Sequence, residues 1–310
     1  MNIAVVAQQM VIMLFFILLG YYFFKKNKLS EMSSRHISGL VVNVSNPAAL
    51  LCSAFDNSPK VSTDQLLTAL IVMVAIYAIL LLAGALMPKI MRSPKEENYI
   101  YHFLTVYGNV GFLGIPLVSA VLGSGSLIYV SINVLLFNVL FYTTGTAIIR
   151  KQAGVKSKSV FRDIFSRLVN IGTISAVLTI IFYLGDIDVP MIISDAATYA
   201  GRTTTLLSML VLGVALAQMP LKELFCHPKD YFFITLRLLL LPILCVLVLR
   251  SFVSDPLLLG TATLLISVPC GNLPMMCSKE YGLKTDLLAR IIVLSTIVSV
   301  ITIPIVTLFV

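Results

Sequence analysis

Two short strings in this chain combine backbone-breaking residues with amides at the depth of an apolar run. They are Gly108-Asn109-Val110-Gly111-Phe112-Leu113-Gly114-Ile115-Pro116 and Pro269-Cys270-Gly271-Asn272-Leu273-Pro274, and each sets Gly-Asn shortly before a proline. Proline removes a backbone donor and crowds the preceding turn, while glycine relaxes φ, so both strings predict an interrupted helix. Unpaired backbone at membrane depth persists only where it is buried in protein or lines a polar cavity. Half-helix ends placed there have a chemistry of their own. Their N-terminal ends suit a carboxylate, and freed carbonyls suit Na⁺. The same residues also serve close helix packing or a plain kink, but the matched placement of the two strings favours a site.

Asn109 and Asn272 sit inside these breaks. A carboxamide offers two donors and an acceptor without carrying charge, so it can hold a carboxylate or turn its oxygen to a cation. The alternative is an interhelical hydrogen bond that only joins helices. Asn138, followed by Tyr142 and Thr143, is a similar case, and Asn43, Ser45, Asn46 and Pro47 predict a further polar interruption. Ser295, Ser299, Thr302 and Pro304 add hydroxyls that often bond only to their own helix. Charge inside an apolar run demands a reason. Arg202 and Arg237 each lie about two turns into such a run, where an arginine either attracts an anion or snorkels to an interface. For Arg237 snorkelling or helix pairing is the preferred reading, whereas Arg202 joins the candidate substrate-binding set. That set is Gly108, Asn109, Pro116, Gly271, Asn272, Pro274, Asn138, Ser45, Asn46 and Arg202.

Other chemistries are poorly supplied. All fourteen Asp and Glu fall in expected loops or at span ends, which argues against a carboxylate proton relay. His36, His102 and His227 are scattered, and only His102 comes near the first break. No HExxH, GxSxG or in-membrane Asp pair is present, so a membrane-embedded enzyme is disfavoured. The five cysteines form no CxxC pair and no metal spacing, and read as small apolar side chains. No cofactor is implied, although coupling to Na⁺ or H⁺ stays open.

The elements that must position these residues follow from composition. Of 310 residues 58% are hydrophobic and only 12% charged, too few to cover a water-facing surface, so lipid is the solvent. The apolar runs are long and unalternating, which selects helices over barrel strands. Stretches long enough to span give ten candidates, near 4–24, 36–55, 66–88, 99–122, 126–149, 167–185, 194–218, 231–253, 256–277 and 285–309. The first run has no small-residue cleavage site and reads as a span, not a signal peptide. Lys and Arg cluster after the odd spans, with little beyond Lys60 and Arg250 opposite. Odd-span exits are then cytoplasmic and both termini lie on the non-cytoplasmic side. The net charge of +8 thus serves topology, with no nucleic-acid partner implied. The central basic segment 151–166 reads as a cytoplasmic linker between five-span halves, 1–150 and 167–310. Five is odd, so the halves enter from opposite sides, as in inverted-repeat carriers.

The string from Gly108 to Leu117 resembles the signature of the auxin efflux carrier family, including its bacterial permeases. Ser267–Gly282 with Ser295, Ser299, Thr302 and Pro304 is similar to that family's C-terminal pattern. The resemblance implies an all-α integral membrane fold of ten helices in two inverted five-helix repeats, related to the bile acid–sodium symporters. Helices one, two, six and seven would form a scaffold, and helices four and nine would cross at their broken centres. Asn109 and Pro116 match the first crossing segment; Gly271, Asn272 and Pro274 match the second approximately. The implied activity is secondary transport of a small organic anion, a carboxylate such as malate or malonate, by alternating access. A bacterial inner membrane and a scaffold-mediated homodimer are implied as well. Gly201-Arg202-Thr203-Thr204-Thr205 departs from the family, which would place a proline there. A non-transporting membrane sensor of the same fold is the alternative.

Overall fold

The computed structural model describes residues 1–55, 60–155, 160–220 and 224–310, and among these it is helical throughout, with no strand longer than a single bridge. Among the described residues seven helices are long and apolar enough to cross a membrane: α1 (Ile3–Lys25), α2 (Glu31–Phe55), α3 (Thr63–Ile90), α6 (Ser124–Gln152), α9 (Met191–Ala217), α10 (Pro228–Leu249) and α13 (Asp286–Thr307). An eighth is reached if α7 (Val160–Leu168) and α8 (Ile171–Leu184), which meet at 63°, are taken as one span. The two remaining candidates from the sequence are each split in two. They become α4 (Asn98–Val106) and α5 (Val110–Leu122), then α11 (Pro256–Ser267) and α12 (Leu273–Glu280). Val11, Phe15, Ile71, Leu82 and Ile181 point large apolar side chains outward, as lipid-facing residues do.

Local chemistry sets the helix limits. Ser62 and Gln65 form a reciprocal capping box that starts α3, with Gln65 N–H donating to Ser62 Oγ at 3.2 Å and Ser62 N–H to Gln65 Oε1 at 2.8 Å. Asn170 Oδ1 accepts from Thr173 N–H at 3.0 Å, which fixes the true start of α8. Arg167, the expected first residue of the sixth span, belongs to α7 and pairs with Glu280 at 2.9 Å, ahead of the bend that leads into α8. Of the expected linker 151–166, residues 156–159 lie outside the described residues, and helix occupies both flanks.

The polar middle of the second span is a further correction. Asn43–Pro47 does not interrupt α2, which passes through it on a widened π turn, Val41–Ser45. Three of the four π turns among the described residues follow one rule: Val41–Ser45, Val110–Gly114 and Leu236–Leu240 each precede a proline by two residues, at Pro47, Pro116 and Pro242. The proline ring crowds the carbonyl four residues back and offers it no N–H, and a one-residue widening relieves both defects.

Glycine sets the tightest helix packing. A β-carbon at Gly213 of α9 would stand 2.0 Å from the Ile17 carbonyl of α1, and one at Gly20 would stand 2.4 Å from the Leu210 carbonyl. Gly201 lies similarly against Ala49 of α2, joining α1, α2 and α9 backbone to backbone. Gly213→Ala should therefore lower the thermal unfolding temperature of the detergent-purified protein, by an overpacking cost of about 1–3 kcal/mol. Gly39→Ala, whose β-carbon would meet nothing nearer than 4.0 Å, should be neutral.

Candidate functional site at the helix crossing

Helix α4 ends at Tyr107, whose φ of −103° and ψ of 97° turn the chain to extended backbone. Helix α11 ends likewise at Val268, with φ −59° and ψ 147°. The two extended pieces lie antiparallel and bond to each other. Asn109 N–H donates to the Pro269 carbonyl at 2.7 Å, Gly271 N–H donates to the Tyr107 carbonyl at 2.9 Å, and Gly108 faces Cys270 between them. Each break thus satisfies backbone groups that the other leaves exposed, which is the requirement for non-helical chain inside a protein surrounded by lipid. Side chains secure the joint. Cys270 N–H donates to Ser295 Oγ of α13 at 3.2 Å, and the Cys270 thiol to the Leu104 carbonyl at 3.3 Å. Tyr107 packs edge-on against Phe137 and Phe141 of α6.

The approach is close enough to demand glycine. A β-carbon at Gly271 would stand 2.7 Å from the Gly108 carbonyl oxygen, and one at Gly108 would stand 2.6 Å from a Val268 methyl. Beyond the joint, α5 and α12 begin, so two helix N-termini start at the crossing. Asn109 caps the first, its Oδ1 accepting from Phe112 N–H at 3.2 Å. Its buried amide nitrogen, Nδ2, has no partner among the described residues. Asn46 reaches across from α2, donating through Nδ2 to the Gly111 carbonyl at 3.0 Å and leaving its own buried Oδ1 without a partner.

A cavity of about 250 Å³ opens beside these groups, lined by Asn46, Gly108, Asn109, Asn138, Gly271 and Asn272 together with Phe112, Phe137 and Met276. Six of the ten sequence-derived candidates are therefore gathered at one place. The other four stand apart. Pro116 and Arg202 line a separate, more polar cavity of about 550 Å³ with Ser119, Asp195, Thr198 and Thr205. Ser45 is engaged with Thr203, oxygen to oxygen at 2.8 Å. Pro274 is buried in the first turn of α12, where its missing N–H costs no hydrogen bond. Asn138 lines the crossing cavity but also donates to Thr173 at 2.9 Å, so part of its capacity goes to joining α6 and α8. A third cavity, of about 260 Å³, reaches Asn272 from the opposite flank, between α1, α9 and α13, with Lys279 along its wall.

For Arg237 the structure selects helix pairing, one of the two readings its sequence position allowed. It does not snorkel: it is 1% exposed, and Nη1 donates to the Ile266 carbonyl of α11 at 2.9 Å. It lies within the π turn Leu236–Leu240 of α10, and a β-carbon at Gly108 would stand 3.4 Å from its Nη2. Its depth from the end of the span was legible in the sequence; which face it occupies was not.

A polytopic helical protein with two broken segments bonded at a crossing has the build of a membrane transporter. Comparison with known families agrees: residues 5–307 match the family described as "Membrane transport protein", so the chain belongs to that family, which includes the auxin efflux carriers. A protein of Rhizobium meliloti (strain 1021) named "Putative malonate transporter" is 23% identical over 248 residues, covering 77% of this chain and 75% of that one.

The joint itself is open to test. Gly271→Ala should force Gly108 and Cys270 apart and cost about 2 kcal/mol or more, seen as a lowered unfolding temperature and polydisperse elution. Gly111→Ala, which would meet only Asn46 at 3.5 Å, should behave as wild type.

Proposed function

We propose that this protein is a secondary transporter that binds a small carboxylate, of the malonate or malate class, at the helix crossing and carries it by alternating access. The observation that carries this reading is the crossing cavity, where the buried Asn109 amide donor stands without a partner between the N-termini of α5 and α12. Helix N-termini and amide donors are what an anion needs on leaving water, and among the described residues no carboxylate lines that cavity to repel one. The name of the Rhizobium meliloti relative points to the same substrate class.

The same reading takes α4 with α5 and α11 with α12 as the fourth and ninth of ten spans, in two inverted halves. The packing of α1, α2, α8 and α9 against one another supports a scaffold of the first two helices of each half. The other helices would move against it, exposing the crossing alternately to each side. The basic helix ends would face the cytoplasm and both termini the opposite side, in keeping with the positive-inside rule.

The test is uptake of labelled malonate into proteoliposomes, with and without Na⁺ and H⁺ gradients. Wild type should show saturable uptake that other short dicarboxylates inhibit. Asn109→Ala removes a charge-assisted hydrogen bond worth about 1.5–3 kcal/mol, so uptake affinity should fall roughly tenfold to a hundredfold. Asn109→Asp keeps the helix cap but sets a negative charge in the cavity, and should abolish uptake while leaving the unfolding temperature near that of wild type. Saturable uptake unaffected by either variant would remove the site from the crossing.

A further inference from the structure

Arg237 is a full positive charge that no carboxylate among the described residues meets. It takes part in none of the ion pairs among the described residues, which join Arg35–Glu31, Lys60–Asp186, Arg150–Asp163, Arg167–Glu280 and Arg290–Asp230. Beyond the Ile266 carbonyl its surroundings are neutral. Nε is buried without a partner, and a β-carbon at Gly108 would stand 3.4 Å from Nη2. Tyr77 and Asn133 complete the enclosure, the tyrosine hydroxyl donating to Asn133 Oδ1 at 3.4 Å. The chamber they share with Arg237 holds only about 10 Å³, which is room for one water and not for a second hydrated ion.

A guanidinium stays protonated under all physiological conditions, and an isolated buried cation is costly. Part of that cost is met by the carbonyl end of α11, the negative end of its dipole, where Ile266 accepts from Arg237. One carbonyl end carries about half a charge, so a positive excess remains at the crossing. Gly108 lines both this chamber and the crossing cavity, so an anion in that cavity is placed to balance it.

We propose that Arg237 is the resident cation of the crossing: it occupies the carbonyl end of α11, where a dissolved Na⁺ would otherwise be held, and from behind Gly108 supplies the charge that the carried carboxylate balances. It is a positioning residue, since it acts through the crossing backbone and does not touch the substrate. The inference rests on the carboxylate-transport reading above. Its consequence is that anion binding needs no cation from solution.

The test compares labelled malonate uptake in Na⁺ and K⁺ media for wild type, R237K and R237A. Wild-type uptake should be the same in both media. R237A should lose about tenfold or more in apparent affinity, R237K should keep part of it, and millimolar guanidinium should restore R237A but not Asn109→Ala. Marked stimulation of wild type by Na⁺ overturns the proposal while leaving carboxylate transport standing, and this arm needs no variant to fold. Unchanged affinity in R237A overturns it as well. If wild type carries no carboxylate, the reading of function fails, and thermal unfolding without substrate decides the resident-cation claim. Guanidinium should then stabilise R237A selectively over Na⁺ and K⁺ and leave wild type unmoved, and no selective stabilisation overturns it.

Discussion

Two backbone hydrogen bonds, Asn109 N–H to Pro269 and Gly271 N–H to Tyr107, are the constraint on which this molecule depends. A lipid-embedded chain cannot leave peptide groups unpaired, and every unmade bond there costs several kcal/mol. Two breaks in separate helices become tolerable only by meeting. Once they meet, much else is fixed: glycine at 108 and 271, a hydroxyl at 295 to take the Cys270 N–H, and an aromatic wall behind Tyr107. The opening of two helices at one buried place is a consequence of the same pairing.

That geometry gives the crossing two faces of different build. On one face the N-termini of α5 and α12 and the amides of Asn46 and Asn109 border a cavity. On the other, the carbonyl end of α11 meets Arg237 in a space too small for a solute. On the proposed reading as an anion carrier, the attractive charge would be built into the backbone and a single buried side chain. Among the described residues the cavity itself is lined by no charged side chain.

Much of this was legible in the residues, for a physical reason. Gly-Asn before proline inside an apolar run has few stable outcomes in lipid, so the interruptions at Gly108–Pro116 and Pro269–Pro274 announce themselves. Proline alone is a weaker signal. Pro47 and Pro242 produce π turns within continuous helices, and the polar run at Asn43–Pro47 imitates a break because it carries the same residue types. Arg202 lines a cavity apart from the crossing, and Arg237 is buried beside the crossing where it pairs α10 with α11. Depth along a span can be read from sequence; the face of the helix is set by tertiary packing, and α10 is turned at its π bulge by a proline five residues beyond Arg237. Ser45 was drawn into the candidate set by its neighbours, and its bond to Thr203 depends on a contact 158 residues away that no local pattern reveals.

The claim that a carboxylate occupies the crossing is tested most directly by an experimental structure of the protein saturated with malonate. The account predicts density for the substrate in the cavity between Asn46, Asn109 and Asn272, with a carboxylate oxygen within hydrogen-bond distance of Asn109 Nδ2. Density confined to the polar cavity beside Arg202, with the crossing empty, would contradict it.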